Sequence, residues 1–159
     1  MVPRTSPTPP TAPRMVRAAL FLLIASLFGA ATTGCESTDL ERNQVISLVN
    51  ETRMSQGLAP LKSNTKLSLK ADAWAKRLRD ACELSHSRLA DGAPKSWLKL
   101  GENVGYGGDI SVVHDAYLRS PGHYANIVDP AFTQMGAAAV WGDCDGQHRV
   151  FTVQVFMKA

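Results

Sequence analysis

Apolar and polar positions follow two different periods along this chain, helical after residue 38 and strand-like near the C-terminus. Thr38-Asp39-Leu40-Glu41 matches a capping box. Apolar residues then recur at helical spacing, at Val45, Leu48 and Val49. The pattern predicts a first helix that begins after Thr38 and stops at Gly57.

Two further helices are predicted in the middle of the chain. The Ser63-Asn64-Thr65 cluster can cap a second helix. Its apolar stripe consists of Leu67, Ala71, Trp74, Ala75, Leu78 and Cys82. Asp109 can cap a third helix that runs from Ile110 to about Arg119 and is ended by Ser120-Pro121-Gly122. Residues 87–109 lie between them and are rich in glycine, so they are predicted to be mostly loop.

The C-terminal part alternates with a period of two. Four apolar side chains alternate with polar ones in Val150–Met157, which predicts a half-buried strand. Gln134–Trp141 is predicted to be its partner, with a turn at Gly142–Gly146. Helices followed by an antiparallel hairpin indicate an α+β layered fold.

The N-terminus has the layout of an export signal. Arg14 and Arg17 precede an apolar run from Ala18 to Ala31, and small residues follow it. Fourteen residues are too few for a transmembrane helix, which needs about 20. Residues 1–34 are therefore interpreted as a leader and signal peptide, and Met15 would open a more typical signal than Met1 does.

Cys35 allows two interpretations of how the leader ends. Gly34-Cys35 after small residues resembles a bacterial lipobox, in which the cysteine becomes the lipidated first residue, although Thr32 departs from the usual leucine. The alternative is ordinary cleavage near Ala31, which leaves Cys35 as a free thiol. The chain has three cysteines, so lipidation of Cys35 would leave Cys82 and Cys144 as one disulfide. We favour lipidation, with residues 35–39 as a short linker to the membrane anchor.

Composition narrows the class of protein. The 159 residues are 45% hydrophobic and 19% charged, which is typical of one globular domain. The chain has 17 Lys and Arg against 14 Asp and Glu, and its excess of three lies at Arg4, Arg14 and Arg17 in the leader. The remaining chain is neutral, so no nucleic-acid partner is expected.

Two histidines and a glutamate are the candidate chemical groups. His86 follows the second predicted helix, Glu102 lies in Gly101-Glu102-Asn103-Val104-Gly105, and His123 lies in Ser120-Pro121-Gly122-His123. Imidazoles and a carboxylate can bind a divalent cation or move protons. Their spacing alone does not bring them together. Ser85, Ser87 and Ser120 adjoin these histidines, but none lies in a nucleophile-elbow pattern.

Four ordered segments resemble the CAP superfamily, which covers cysteine-rich secretory proteins, antigen 5 and pathogenesis-related proteins. They are Leu84-Ser85-His86-Ser87, Gly101-Glu102-Asn103-Val104-Gly105, Ser120-Pro121-Gly122-His123-Tyr124-Ala125-Asn126-Ile127 and Val150-Phe151-Thr152-Val153-Gln154-Val155-Phe156. The resemblance covers roughly residues 40 to 158, and the compact bacterial secreted members are the most similar type. It predicts a CAP domain over residues 40–159.

The resemblance implies a three-layer α-β-α sandwich with a cleft formed by His86, Glu102 and His123. His86 and His123 are the implied metal ligands. Many family members have a second glutamate, whose position counted from Tyr117 falls at Ser120, and Asp115 is the nearest acid. The resemblance therefore does not carry the fuller set of four residues over to this chain.

Three classes of function follow from these residues. The first, which we favour, is an exported binding module of the cell envelope, secreted or membrane-anchored at Cys35, with a lipid, peptide or glycan ligand. The second is a metal-dependent hydrolase with Glu102 as the base and His86 and His123 as ligands; two protein ligands are one fewer than catalytic zinc usually has. The third is a surface scaffold or secreted effector. No cofactor is required, although a divalent cation such as zinc suits the cleft, and we expect a monomer.

Overall fold

The computed structural model describes Ser37 and residues 39–159, and within them helices enclose a four-stranded sheet. The elements in chain order are α1 (Asp39–Ser55), β1 (Lys62–Ser63), α2 (Thr65–Ala81), β2 (Lys99–Gly107), α3 (Ile110–Arg119), α4 (Pro121–Ile127), β3 (Gln134–Cys144) and β4 (Gln147–Lys158). The order across the sheet is β1-β3-β4-β2, with β1 parallel to β3 and the other neighbours antiparallel. The leader and Cys35 lie outside the described residues.

The sheet separates two apolar layers, which confirms the predicted α-β-α sandwich. On one face, Leu67, Ala71, Ala75 and Leu78 of α2 pack against residues of β3 and β4 such as Val153. On the other face, α1, α3 and α4 share a second core with the same two strands. Because side chains alternate along a strand, β3 and β4 contribute to both cores and are buried except near the turn and at their ends. The prediction of a half-buried strand is therefore wrong for Val150–Met157, which is buried on both faces.

The predicted helix boundaries are largely confirmed. Asn64 caps α2 by accepting a hydrogen bond from the Leu67 amide, and Asp109 caps α3 by accepting one from the Ser111 amide. Gly57 ends the turn after α1 with a positive φ of 72°. The predicted cap Thr38 lies outside the described residues.

The sequence placed Cys82 on the apolar stripe of α2, and its side chain does pack against that core. The residue itself follows the helix as its left-handed cap, with φ 52°. This cap turns the chain toward the hairpin, where Cys82 forms a disulfide with Cys144. The bond ties the end of α2 to the end of β3.

The C-terminal hairpin is longer and tighter than predicted. Pairing continues through Asp143↔His148 to Cys144↔Gln147, and only Asp145 and Gly146 remain as the turn. Both turn residues have positive φ, 53° and 74°, which is the geometry that a two-residue turn requires in a twisted hairpin.

The prediction that residues 87–109 are mostly loop is wrong for Lys99–Gly107, which form β2. Its glycines do not mark turns but sites of close approach. A Cβ at Gly101 would lie 2.9 Å from the Phe132 ring, and one at Gly105 would lie 2.9 Å from the Tyr117 ring. Glu102 and Asn103 are therefore strand residues.

Ser120-Pro121-Gly122 ends α3 as predicted, but it also starts α4, which the sequence did not predict. Pro121 is the first residue of α4, a position whose backbone N–H has no partner within a helix, so the missing N–H of proline costs nothing. His123 is consequently held by a helix and not by a loop. No helix among the described residues is long and apolar enough to cross a membrane.

Candidate functional site

The three candidate residues lie on separate elements around β2, at the edge of the sheet. His86 is in the segment after α2, Glu102 is on β2 opposite Val155, and His123 is in the first turn of α4. α2 and α4 cover opposite faces of the sheet, so the site straddles its edge strand. We call these three residues the cleft.

Glu102 is the buried centre of the cleft. Its side chain is 1% exposed, and its Oε1 lies 2.9 Å from His86 Nδ1. The Ser87 amide donates to the same oxygen at 2.8 Å, and the Ser87 hydroxyl donates to Oε2 at 2.5 Å. Both carboxylate oxygens are therefore engaged, and the carboxylate fixes the orientation of His86, whose side chain is 59% exposed.

Lys70 of α2 supports the same network from behind. Its Nζ donates to the Ser87 hydroxyl at 2.8 Å and to the Arg88 carbonyl at 2.9 Å. Burial lowers the pKa of Lys70, and the charges of Glu102 and Asp91 partly oppose this by raising it. Nothing in the sequence pattern indicated Lys70, since lysine on a helix is usually solvated.

The surroundings of His123 favour its neutral form. Partial burial lowers its pKa first, and the neighbouring His86 lowers it further. Its ring packs edge-on against Tyr117, with ring centroids 4.9 Å apart. A neutral imidazole is the form that binds a metal or accepts a proton.

Side-chain amides hold α4 against β2 and thereby place His123. Asn103 is fully buried, and its Nδ2 donates to the His123 carbonyl at 3.1 Å and to Gln154 Oε1 at 3.0 Å. Asn126 of α4 donates to Asn103 Oδ1 at 2.9 Å and to the Glu102 carbonyl at 3.2 Å. Asn103 therefore links three elements of the site, β2, α4 and β4.

A groove of about 710 Å³ extends from His86 along α2. Its wall includes the Trp74 ring and the cationic side chains of Lys70, Arg77 and Arg88. Arg77 lies over the Trp74 ring, 5.2 Å from its centroid, and the Trp74 indole donates to the Ser85 carbonyl. The volume lies in the range of small-ligand sites.

The remaining acidic position of the family pattern is not filled. Ser120, where the second glutamate would fall, joins α3 to α4. Asp115, the nearest acid, is exposed on α3. Within the described part of the chain, no group of three or more His, Cys, Asp or Glu side chains is arranged to hold a metal ion. The two imidazoles remain as the candidate donors.

The chain belongs to the CAP family. The model of the cysteine-rich secretory protein family matches residues 46–156. The chain is also 30% identical over 118 residues to the uncharacterized protein YkwD of Bacillus subtilis, a match that covers 69% of this chain and 46% of YkwD. The chain thus spans about half the length of this relative.

Solved structures confirm the fold. An outer surface protein of Borrelia burgdorferi is 20% identical, with a TM-score of 0.63 over 79% of this chain and 98% of that protein. An extracellular protein with an SCP domain from Bacillus anthracis is 24% identical, with a TM-score of 0.62 over 74% of this chain and 40% of that one. At these identities the likeness establishes the CAP fold.

Proposed function

We propose that this chain is an exported binding module of the cell envelope, anchored through a lipid on Cys35. Its cleft and the adjoining groove would take a lipid, peptide or glycan ligand, with a divalent cation held between His86 and His123. Export is supported by the signal layout of the leader and by the extracellular or outer-surface relatives.

The groove along α2 is the observation that carries this proposal. It opens beside His86 and combines an aromatic wall with several cationic groups. Such a combination of apolar surface and a few directed polar groups is typical of binding sites. Fold-level kinship alone does not name a chemistry, so the proposal depends on the site.

The state of Glu102 supports binding over hydrolysis. A general base needs to reach the reacting proton, within hydrogen-bond distance or through one water. Glu102 is 1% exposed and both its oxygens already accept hydrogen bonds from Ser87 or His86. The carboxylate is thus placed to orient the His86 imidazole. A metal-binding histidine usually has such a carboxylate partner on its other ring nitrogen.

Two imidazoles suit zinc as ligands, and we expect weak binding because the remaining ligands would be water or the bound ligand. Zinc titration calorimetry on the domain tests this, with H86A/H123A as the variant and H148A as the control. His148 is exposed on the hairpin and paired with Asp143, so its loss should change nothing at the cleft.

The expected result is a zinc heat that the double variant loses and the control keeps. Binding should weaken as the pH falls, because a protonated imidazole cannot bind a metal. Equal heats from wild type and H86A/H123A would refute the metal site in the cleft. Loss of the zinc heat in H148A would show that zinc binds at the hairpin.

A further inference from the structure

Ser37 is part of the folded domain, although the sequence places it in the linker after Cys35. Ser37 is 7% exposed. Its amide donates to Asp72 Oδ1 of α2 at 3.2 Å, and its hydroxyl accepts a hydrogen bond from the Ala139 amide of β3 at 3.0 Å. The chain is therefore held from both sides at this point.

The tether between anchor and domain is consequently very short. A lipid on Cys35 would be two residues from Ser37, and two residues reach at most about 7 Å. A flexible linker that allows free tumbling above a bilayer would need many more residues. The surface around Ser37 would thus be brought to the headgroup region.

Large apolar side chains near Ser37 are exposed to solvent. Leu40 is 80% exposed and Leu69 is 65% exposed. Leu69 lines, with Asp39 and Arg42, a depression of about 290 Å³ between the starts of α1 and α2. Leu40 lies in the first turn of α1, three residues after Ser37, and Leu69 lies on α2 three residues before Asp72, which binds the Ser37 amide.

The charges around this surface suit an anionic bilayer. Lys62 of β1 and Lys66 in the first turn of α2 are exposed, and their chain neighbours Ser63 and Thr65 line the same depression as Leu69. Asp39 is paired with Arg42, and Asp72 is paired with Lys76. Lysines with apolar neighbours favour the interface of membranes that contain acidic lipids.

We propose that the domain lies directly on its membrane through the surface around Ser37, with Leu40 and Leu69 in the interface and the cleft pointing away. Ser37 borders β3 near the β1 edge of the sheet, whereas Glu102 lies on β2 at the opposite edge. The cleft would then face the aqueous compartment and take its ligand from there. This inference rests on the lipid anchor proposed above.

A fluorescent probe at two sites tests this orientation. Cys35 would be acylated and Cys82 and Cys144 form a disulfide, so an added cysteine is the single reactive thiol. NBD is attached to L69C, and to V112C as the control, in full-length acylated protein. Val112 is 54% exposed on α3, beside Gly107 of β2, and is thus near the other edge of the sheet.

In vesicles of phosphatidylethanolamine and phosphatidylglycerol with nitroxide-labelled lipids, the probe at 69 should shift to the blue and lose most of its emission. The probe at 112 should keep its aqueous spectrum. With the probe moved to K66C, L40S/L69S should weaken the quenching, because serine side chains leave the interface while the lipid anchor remains, and V112S should leave the quenching unchanged.

Three outcomes would overturn the orientation: aqueous spectra at both sites, quenching at 112 instead of 69, or a Cys35 peptide without acyl mass. The last would also remove the proposed anchor. The zinc titration on the domain is independent of all three, so failure of the cleft and failure of the orientation are distinguishable.

Discussion

Glu102 Oε1 lies 2.9 Å from His86 Nδ1, and this pair joins the edge strand to the segment after α2. The carboxylate is buried while the imidazole is largely exposed, so the strand holds the histidine in place from below. The geometry leaves the second ring nitrogen of His86 available to a ligand.

Replacement E102Q should therefore affect both stability and metal binding. Glutamine has the same shape as glutamate, but one of its two terminal atoms is an NH₂ group. That group cannot accept the hydrogen bond that Ser87 donates there, and the loss should lower the unfolding free energy by about 1–3 kcal/mol. Loss of the carboxylate partner should weaken zinc binding by about 10–100-fold. Urea unfolding and zinc titration measure the two effects.

The control is E83Q, because Glu83 is exposed just past the disulfide cysteine and lies outside the cleft. E83Q should match wild type in both measurements. If E102Q also matched wild type, the carboxylate would have no positioning role.

Close packing of β3 against α2 gives a second prediction. A Cβ at Gly136 would lie 2.2 Å from backbone atoms of Leu67 and Ser68, which cannot move without shifting α2. G136A should cost about 3 kcal/mol by overpacking. At Gly108 a Cβ would meet nothing within 4 Å, so G108A should be nearly neutral. Thermal unfolding of both variants checks this, and equal melting temperatures would contradict the packing argument.

The elements with a clear period could be predicted from the sequence. Alternating apolar residues in Val150–Met157 predicted β4, and Asn64 and Asp109 predicted the starts of α2 and α3. β2 was missed because its glycines are required by the rings packed against it, and glycine in sequence indicates a turn. α4 was missed because a proline that starts a helix resembles one that ends the previous helix.

The site could be predicted only through the family resemblance. His86, Glu102 and His123 are far apart in sequence, and only the folded sheet edge brings them together. The supporting residues were harder still. Lys70 lies in no recognisable motif, although it donates to Ser87. Ser87 adjoins His86 in the sequence as a nucleophile would, but in the structure its hydroxyl donates to the buried Glu102.

The Cys82–Cys144 disulfide gives a third prediction. The bond spans 62 residues, and closing a loop of that length stabilises by about 4 kcal/mol in the chain-entropy model. C82S/C144S should lose stability of that order in urea unfolding. Reduced wild-type protein should match the double variant, because both lack the cross-link. Two alkylatable thiols at these positions in unreduced, denatured protein would contradict the bond.

The last prediction concerns His114, which lies buried between α1 and α3. Its Nε2 is 2.9 Å from Thr52 Oγ1, and that hydroxyl donates to the Leu48 carbonyl, so Nε2–H is the donor to Thr52. The other nitrogen, Nδ1, is buried with no hydrogen-bond partner among the described residues. Protonation would therefore bury an unpaired N–H.

Burial lowers the pKa of His114, and the charges of Asp115 on α3 and Glu51 on α1 only partly oppose this. The unfolded chain then binds a proton at a higher pH than the folded chain does. Stability should be constant above the usual histidine pKa of about 6.5 and should fall as the pH decreases below it. Urea unfolding of wild type between pH 8 and pH 5, compared with H114Q, measures this dependence.

H114Q should show a smaller loss of stability on acidification, because glutamine does not titrate. H148Q is the matched control, since His148 is exposed, and it should keep the wild-type pH dependence. An equally steep loss in H114Q and wild type would assign the pH dependence to another group, for which His123 is the next candidate because burial lowers its pKa as well.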